Sequence, residues 1–211
     1  MRYLAPDFVV RSFLDITPED VRELSPDSLA ICVDIDGTVT DFHAPEVPAD
    51  AQARLRSFSD AGFLTFIVSN CSGRRVTEVH RLFDDLVTGV VTPFDCLGAE
   101  DTDDTGRSHR KPAPDMLLAV AARYWVTDPA TGVERTPRPE ELLMVGDQIF
   151  KDVIAAKQAG APSVLVPRLG NRDHVGVRVA QRPVEAVVRA ALRLPVRDED
   201  WPRRLTPVRH R

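Results

Sequence analysis

Leu29-Ala30-Ile31-Cys32-Val33-Asp34-Ile35-Asp36-Gly37-Thr38 is the stretch on which the fold turns. Its opening apolar run is too short for a helix and has no polar alternation, as expected for a strand covered on both faces of a parallel sheet. Asp34 and Asp36 follow at the strand's end. Two residues apart on extended chain, their side chains point to the same side. Gly37 lets the backbone turn sharply enough for its amides to face an anion. Asp-Gly-Thr is also ordinary turn chemistry, so this segment by itself leaves a structural and a functional reading open.

Outward from this strand the same rhythm repeats. Phe63 to Val68, Leu86 to Val91, Leu142 to Val145 and Ser163 to Val166 are short and rich in Val, Ile and Leu. Helix-like stretches lie at about Asp50 to Ala61, Arg74 to Asp84, Pro114 to Trp125 and Ile149 to Ala159, with Gly62 and Gly160 where a helix-ending glycine belongs. Strands alternating with helices predict an α/β fold, a doubly wound parallel sheet of Rossmann-like design. A length of 211 residues suits one domain: a core over about 29–168, an N-terminal extension 1–28, and a C-terminal helix and tail 169–211. In the extension, Thr17-Pro18-Glu19-Asp20 reads as a helix start, with an N-cap, a first-position proline and acids in the first turn. A last helix is expected from Pro183 to about Leu194, then a polar tail, Pro195 to Arg211. Two connections are long: Thr92 to Arg110, holding the acidic stretch Glu100 to Asp104, and Val126 to Pro139, read as a connector.

Composition narrows the function. No apolar run approaches the roughly 18–20 residues of a membrane-spanning helix, and no basic leader with an apolar block opens the chain, so a cytoplasmic location is expected. Cys32, Cys71 and Cys96 lack metal-site spacing and read as reduced thiols. The net charge of -5 argues against nucleic acid as a partner. That charge is uneven: residues 161–211 hold eleven arginines against five acids, so the C-terminal quarter is basic and the rest acidic. Nucleotide-binding and serine-hydrolase signatures (GxGxxG, GxxxxGK, GxSxG) are missing, and the histidines show no metal-ligand spacing.

In an open parallel sheet, function collects at the carboxyl ends of the strands. Beyond Asp34 and Asp36, Ser69-Asn70 ends the next strand ahead of a helix, where free N–H groups can hold an anion, although both residues are also common caps. Lys111 is one of only three lysines, with Lys151 and Lys157, among 27 basic residues. Gly146-Asp147-Gln148-Ile149-Phe150-Lys151-Asp152 closes a further strand and puts Asp152 near Asp147. In this order, over about residues 29–168, these features resemble the haloacid dehalogenase superfamily of aspartate-nucleophile phosphohydrolases. The resemblance implies that Asp34 is the nucleophile and Asp36 the general acid and then base. It implies that Gly37-Thr38, Ser69-Asn70 and Lys111 hold the phosphate. Asp34, Asp36 through its carbonyl, and Asp147 would hold Mg²⁺, with Asp152 supporting Lys111 or the metal's surroundings.

The chemistry is self-consistent. A phosphomonoester dianion and a carboxylate nucleophile repel until a cation neutralises both, and Mg²⁺ takes a few carboxylate and carbonyl oxygens. Attack by Asp34 splits hydrolysis into two easier steps. A second Asp at position 36 favours a phosphatase, because the leaving oxygen needs a proton and the attacking water must lose one. No segment is long enough for a folded cap domain, so the site is expected to be open. The opening Pro6-Asp7-Phe8-Val9-Val10 with Asp15-Ile16, the Gly146 to Val153 stretch, and Asp173-His174-Val175-Gly176 resemble the YqeG-type branch, related to phosphatidylglycerophosphate phosphatase. That branch usually has Asn where this chain has Gly37. The branch resemblance implies a lipid-borne phosphomonoester, and the basic C-terminal segment would then touch the inner, anionic face of a membrane. Small soluble phosphomonoesters remain an alternative substrate class, and a non-catalytic scaffold an alternative of another kind.

Overall fold

The computed structural model describes residues 2–97, 106–128, 130–170 and 182–208. Nine strands form within these: β1 (Phe8–Val9), β2 (Ala30–Val33), β3 (Leu64–Val68), β4 (Gly89–Val91), β5 (Val126–Thr127), β6 (Glu134–Arg135), β7 (Leu142–Gly146), β8 (Ser163–Leu165) and β9 (Thr206–Pro207). Six helices accompany them: α1 (Pro18–Leu24), α2 (Ala49–Asp60), α3 (Arg74–Phe83), α4 (Asp115–Arg123), α5 (Ile154–Ala159) and α6 (Arg182–Ala191). The main sheet runs β4-β3-β2-β7-β8-β1-β9. All its pairings are parallel except β1 with β9.

The run at residue 29 forms the central strand because both of its faces are covered. Ile31 and Val33 pack with Leu55 and Phe58 of α2 and Val79 and Phe83 of α3, while Ala30 and Cys32 face Met116 and Val120 of α4 and Ala155 and Ala159 of α5. Alternate residues therefore enter different cores, which is why the sequence is apolar without alternation. From β2 the chain winds through β3 to β4 on one side, then crosses back to β7 and β8 on the other. The carboxyl ends of β2 and β7 consequently face a crevice at the point where the winding reverses.

The helix starts follow local chemistry. The Thr17 side chain accepts from the Asp20 amide at 3.1 Å, with Pro18 at the first helical position. Gly160, at φ +85°, ends α5 in the left-handed conformation that glycine adopts without steric cost.

Three expectations are corrected. The N-terminal extension is part of the sheet: β1 pairs with β8, Phe8 opposite Val164, and the Asp7 carboxylate accepts from the Ser163 amide at 2.8 Å. A two-residue strand carries no periodicity, so the sequence does not announce it. The polar tail also folds back, since β9 pairs with β1 and both Trp201 and Leu205 are buried. The connector 126–139 contains the β5–β6 hairpin, pinned by a salt bridge from Arg135 to Asp128 at 2.7 Å. Glu100 to Asp104 and Asp173 to Gly176 lie outside the described residues.

Glu141, buried just before β7, anchors that hairpin. Its carboxylate takes two bonds from Arg135, each 2.7 Å, one from the Arg138 amide at 2.7 Å and one from the Arg138 guanidinium at 2.8 Å. Hydrogen bonds from Arg135 lead the forces that hold its pKa down at about 2, against an ordinary value of 4.5. A carboxylate with a depressed folded pKa stabilises fully above its unfolded pKa and loses that contribution as pH falls through the folded one. Replacing Glu141→Gln should cost about 1–3 kcal/mol at neutral pH, the range for charge-assisted bonds. The penalty should shrink between about pH 4.5 and 2, as urea midpoints across that range would show. An equal penalty at both ends would remove the ionic explanation.

Candidate active site

Lys111 is the centre of the site. Its side chain is almost fully buried, and its ammonium donates to Asp34 Oδ1 at 2.5 Å, Asp152 Oδ1 at 2.7 Å and the Val68 carbonyl at 2.8 Å. An ammonium has three N–H groups, so every donor is in use. The backbone of Lys111 is held by Asn70, whose Oδ1 accepts from the Lys111 amide at 2.8 Å and whose Nδ2 donates to the Lys111 carbonyl at 3.0 Å. The ends of β2 and β3 and the segment after β7 thus meet on one side chain.

The segment after β7 is shaped for that contact. Ile149–Val153 forms a turn of π-helix leading into α5. The Gln148 carbonyl accepts from the amides of Lys151, Asp152 and Val153 at 3.4, 2.9 and 3.4 Å, and Asp152 Oδ2 accepts from the Gln148 amide at 3.0 Å. Asp152 lies so close to Gly146 that a Cβ there would stand 2.2 Å from its Cγ, so the glycine of the GDxxxxD pattern makes room for the second aspartate. Asp147 is fully buried, and its carbonyl accepts from Arg189 of α6 at 3.1 Å. Gly37, at φ +94°, presses against it: a Cβ would lie 3.0 Å from Asp147 Oδ2. An Asn at this position, as in the resembling branch, would need both a strained backbone and a shifted Asp147.

One oxygen each from Asp34, Asp147 and Asp152 lies within 4.8 Å of the others, all buried. Carboxylates packed this closely away from water repel one another, and Lys111 lies against two of them, Asp34 and Asp152. Burial pushes the Asp34 carboxyl up to about 7; Lys111 pulls it down, while Asp152 and Asp147 push it up. Burial alone would lower Lys111, but Asp152 and Asp34 raise it above its ordinary value, so it stays charged. The all-oxygen donor set fits a hard divalent cation such as Mg²⁺.

Asp36 shares the cavity with Asp34 but not the acidic cluster. Its Oδ1 accepts from the His43 amide at 2.8 Å and from Arg75 Nη2 at 3.3 Å. Arg75 is buried on the first turn of α3 and also contacts Glu78 at 3.3 Å. The rings of Phe42 and His43 stack 4.2 Å apart beside the opening. The cavity, about 600 Å³, is lined by the buried Asp34, Ser69 and Lys111 and by the half-buried Asp36, Phe42, Arg110 and Lys151.

The expected residues are brought together unequally. Asp34, Asp36, Ser69, Asn70 and Lys111 all line the cavity. The amides of Gly37 and Thr38 instead bond within their own loop, to the carbonyls of Thr40 and Ile35 at 2.8 and 3.1 Å. The side chain of Asn70 positions Lys111, and α3 begins four residues after it, at Arg74. Arg75, Arg110, Lys151 and Arg189 were not anticipated at the site. Lys151 alone had a signal, its rarity; an arginine among so many has none. Cys71 lines the cavity too, but burial pushes its thiol up to about 11, which suits packing rather than attack.

The family model described as HAD-hydrolase-like matches residues 108–190, from Lys111 through the Asp147–Asp152 segment to α6. This matched stretch resembles the haloacid dehalogenase superfamily. It is 23% identical over 192 residues to a Bacillus subtilis (strain 168) protein named "Probable phosphatase YqeG", covering 91% of this chain and 93% of that one. A haloacid dehalogenase-like hydrolase from Brucella suis 1330 is similar in structure, at a TM-score of 0.41 and 14% identity over 69% of this chain and 87% of that one.

Gly146→Ala tests the packing that brings Asp152 onto Lys111. The new methyl must displace Asp152, so stability should fall by about 1–3 kcal/mol, as for overpacking in a core. Phosphate release should fall with it, because Lys111 loses a partner. A variant with unchanged thermal unfolding and unchanged turnover would show that the close contact does not matter.

Proposed function

We propose that this protein is a phosphatase of the haloacid dehalogenase type, a Mg²⁺-dependent phosphomonoester hydrolase working through an aspartyl phosphate on Asp34. The observation that supports it best is the Lys111 clamp on Asp34 and Asp152 beside Asp147, with Asp36 in the same cavity. Mg²⁺, held by Asp34, Asp147 and the carbonyl of Asp36, would neutralise the charge between the phosphoryl dianion and the carboxylate nucleophile.

The protein's own groups account for the remaining steps. An Asp34 carboxylate oxygen bonds to phosphorus while the ester P–O bond breaks. Asp36 gives a proton to the departing alcohol oxygen and then takes one from the water that attacks the acyl phosphate, returning Asp34 and releasing phosphate. Both contacts of Asp36 use Oδ1, so Arg75 and the His43 amide orient the carboxyl and leave Oδ2 for the proton. The Lys111 donor now on Asp34 passes to a phosphoryl oxygen, while Asp152 and the Val68 carbonyl keep the ammonium in place.

The substrate we favour is a phosphomonoester on a glycerolipid head group, phosphatidylglycerophosphate first among them. An open cavity without a folded cap among the described residues supports a bulky substrate, as does the basic C-terminal quarter, at about 1 kcal/mol per arginine near an anionic surface. No helix among the described residues is long and apolar enough to cross a membrane, so contact would be peripheral. Part of the basic segment serves the fold: Arg204 pairs with Asp20 at 2.7 Å, and Arg189 stacks over Trp201.

Asp34→Asn should abolish release of phosphate from p-nitrophenyl phosphate, and excess EDTA should do the same to the parent protein. Full activity in either case would refute the mechanism. With this good leaving group, Asp36→Asn should slow the second step more than the first. A species heavier by about 80 Da should then be trapped by acid quench, with the label on Asp34. Label on Ser69 or Cys71 would identify a different nucleophile. In sedimentation at low salt, the protein should follow anionic vesicles and ignore neutral ones; indifference to both would remove the membrane part of the reading.

A further inference from the structure

Two cations in the cavity have no role in the chemistry above. Of the charged side chains lining it, Asp34 is paired with Lys111 and Asp36 with Arg75. Arg110 and Lys151 line the same cavity, and the side chain of neither has a hydrogen-bond or ion-pair partner among the described residues. The Nε of Arg110 is buried all the same, an N–H group removed from water and left without an acceptor. Such a group is costly unless something else supplies the acceptor.

Depth indicates what that partner is. Asp34 and Lys111 are buried on the floor, whereas Arg110 and Lys151 are half-buried. A phosphoryl group on the floor leaves its alcohol portion beside the half-buried cations. The cavity volume, about 600 Å³, lies well inside the range for ligands of drug-like size, so it holds more than a phosphoryl group. Arg110 comes from the loop before Lys111 and Lys151 from the π-helical turn after Asp147, so two separate catalytic segments each present a positive charge to the same space.

We propose that Arg110 and Lys151 form a second anion-binding subsite, and that the substrate is a phosphomonoester whose alcohol portion carries another anionic group. This rests on the phosphatase reading and narrows it. A phosphodiester in a lipid head group and the second phosphate of a soluble bisphosphate present the same chemistry to the two cations. A fork of guanidinium donors and a point charge suit either.

The test compares three substrates in the presence of Mg²⁺: p-nitrophenyl phosphate, which has no second anion, fructose 1,6-bisphosphate, and short-chain phosphatidylglycerophosphate. The parent protein should have a higher kcat/KM on at least one doubly anionic substrate, and the preferred one identifies the source. Arg110→Gln and Lys151→Gln should each raise KM for that substrate about tenfold, the equivalent of one charge-assisted hydrogen bond, with KM for p-nitrophenyl phosphate moving less than about twofold. Arg110→Lys should restore much of the preference, because it returns the charge. Equal losses on all three substrates would mean that the pair grips the transferring phosphoryl group, and no loss on any would mean that they are solvated; either overturns the subsite. Failure of the parent protein to hydrolyse p-nitrophenyl phosphate would instead count against the phosphatase reading itself.

Discussion

A buried ammonium that touches two carboxylates and a strand-end carbonyl is the constraint on which the rest of the site depends. Lys111 cannot be desolvated cheaply unless Asp34 and Asp152 come with it, and neither carboxylate can be buried without the lysine. The three groups arrive from the end of β2, the loop before α4 and the turn after β7, so the ion cluster acts as a registration device for the sheet's carboxyl edge. Asp147 joins them with a carboxylate oxygen within 4.8 Å of those of Asp34 and Asp152, so an all-oxygen donor set of the kind that suits a hard cation is gathered at this edge.

The backbone is distorted at the same place. A regular α-helical turn after Gln148 would phase residue 152 differently, whereas the π-helical turn brings the Asp152 carboxylate back over Gly146 and onto Lys111. Such turns are inferior in hydrogen bonding and recur at functional positions. Here the cost is offset locally, since Asp152 Oδ2 takes up the Gln148 amide and Glu185 of α6 accepts from the Phe150 amide at 3.3 Å.

How much of this was legible in the sequence depended on the range of each interaction. The central strands were legible because burial on both faces writes a continuous apolar run, Asp34, Asp36, Asp147 and Asp152 because they stand at or near strand ends, and Lys111 because lysine is rare in this chain. The roles of Asn70 and Lys111 were legible only in part. Their mutual hydrogen bonds span 41 positions, and nothing in a Ser-Asn pair distinguishes an anion site from a brace. Arg75 on Asp36 and Arg189 on the Asp147 carbonyl were hidden among many arginines. β1 and β9 were invisible for another reason, as two residues carry no period.

The C-terminal segment shows how an overall charge can mislead. Its arginines read from composition as a face for an anionic surface, yet several have partners inside the protein. Arg189 connects α6 to the Asp147 carbonyl and lies over Trp201, and Arg204 bonds to the buried Asp20. Trp201 and Leu194 pack with Ile149 and Val153, the apolar side of the same π-helical turn that carries Asp152. The last helix and the returning chain therefore support the Asp147–Asp152 segment from behind, where a loose backing would let both aspartates drift from Lys111. A membrane-facing role must rest on the remaining arginines of that segment, because Arg189 holds the Asp147 backbone and Arg204 ties the returning chain to α1.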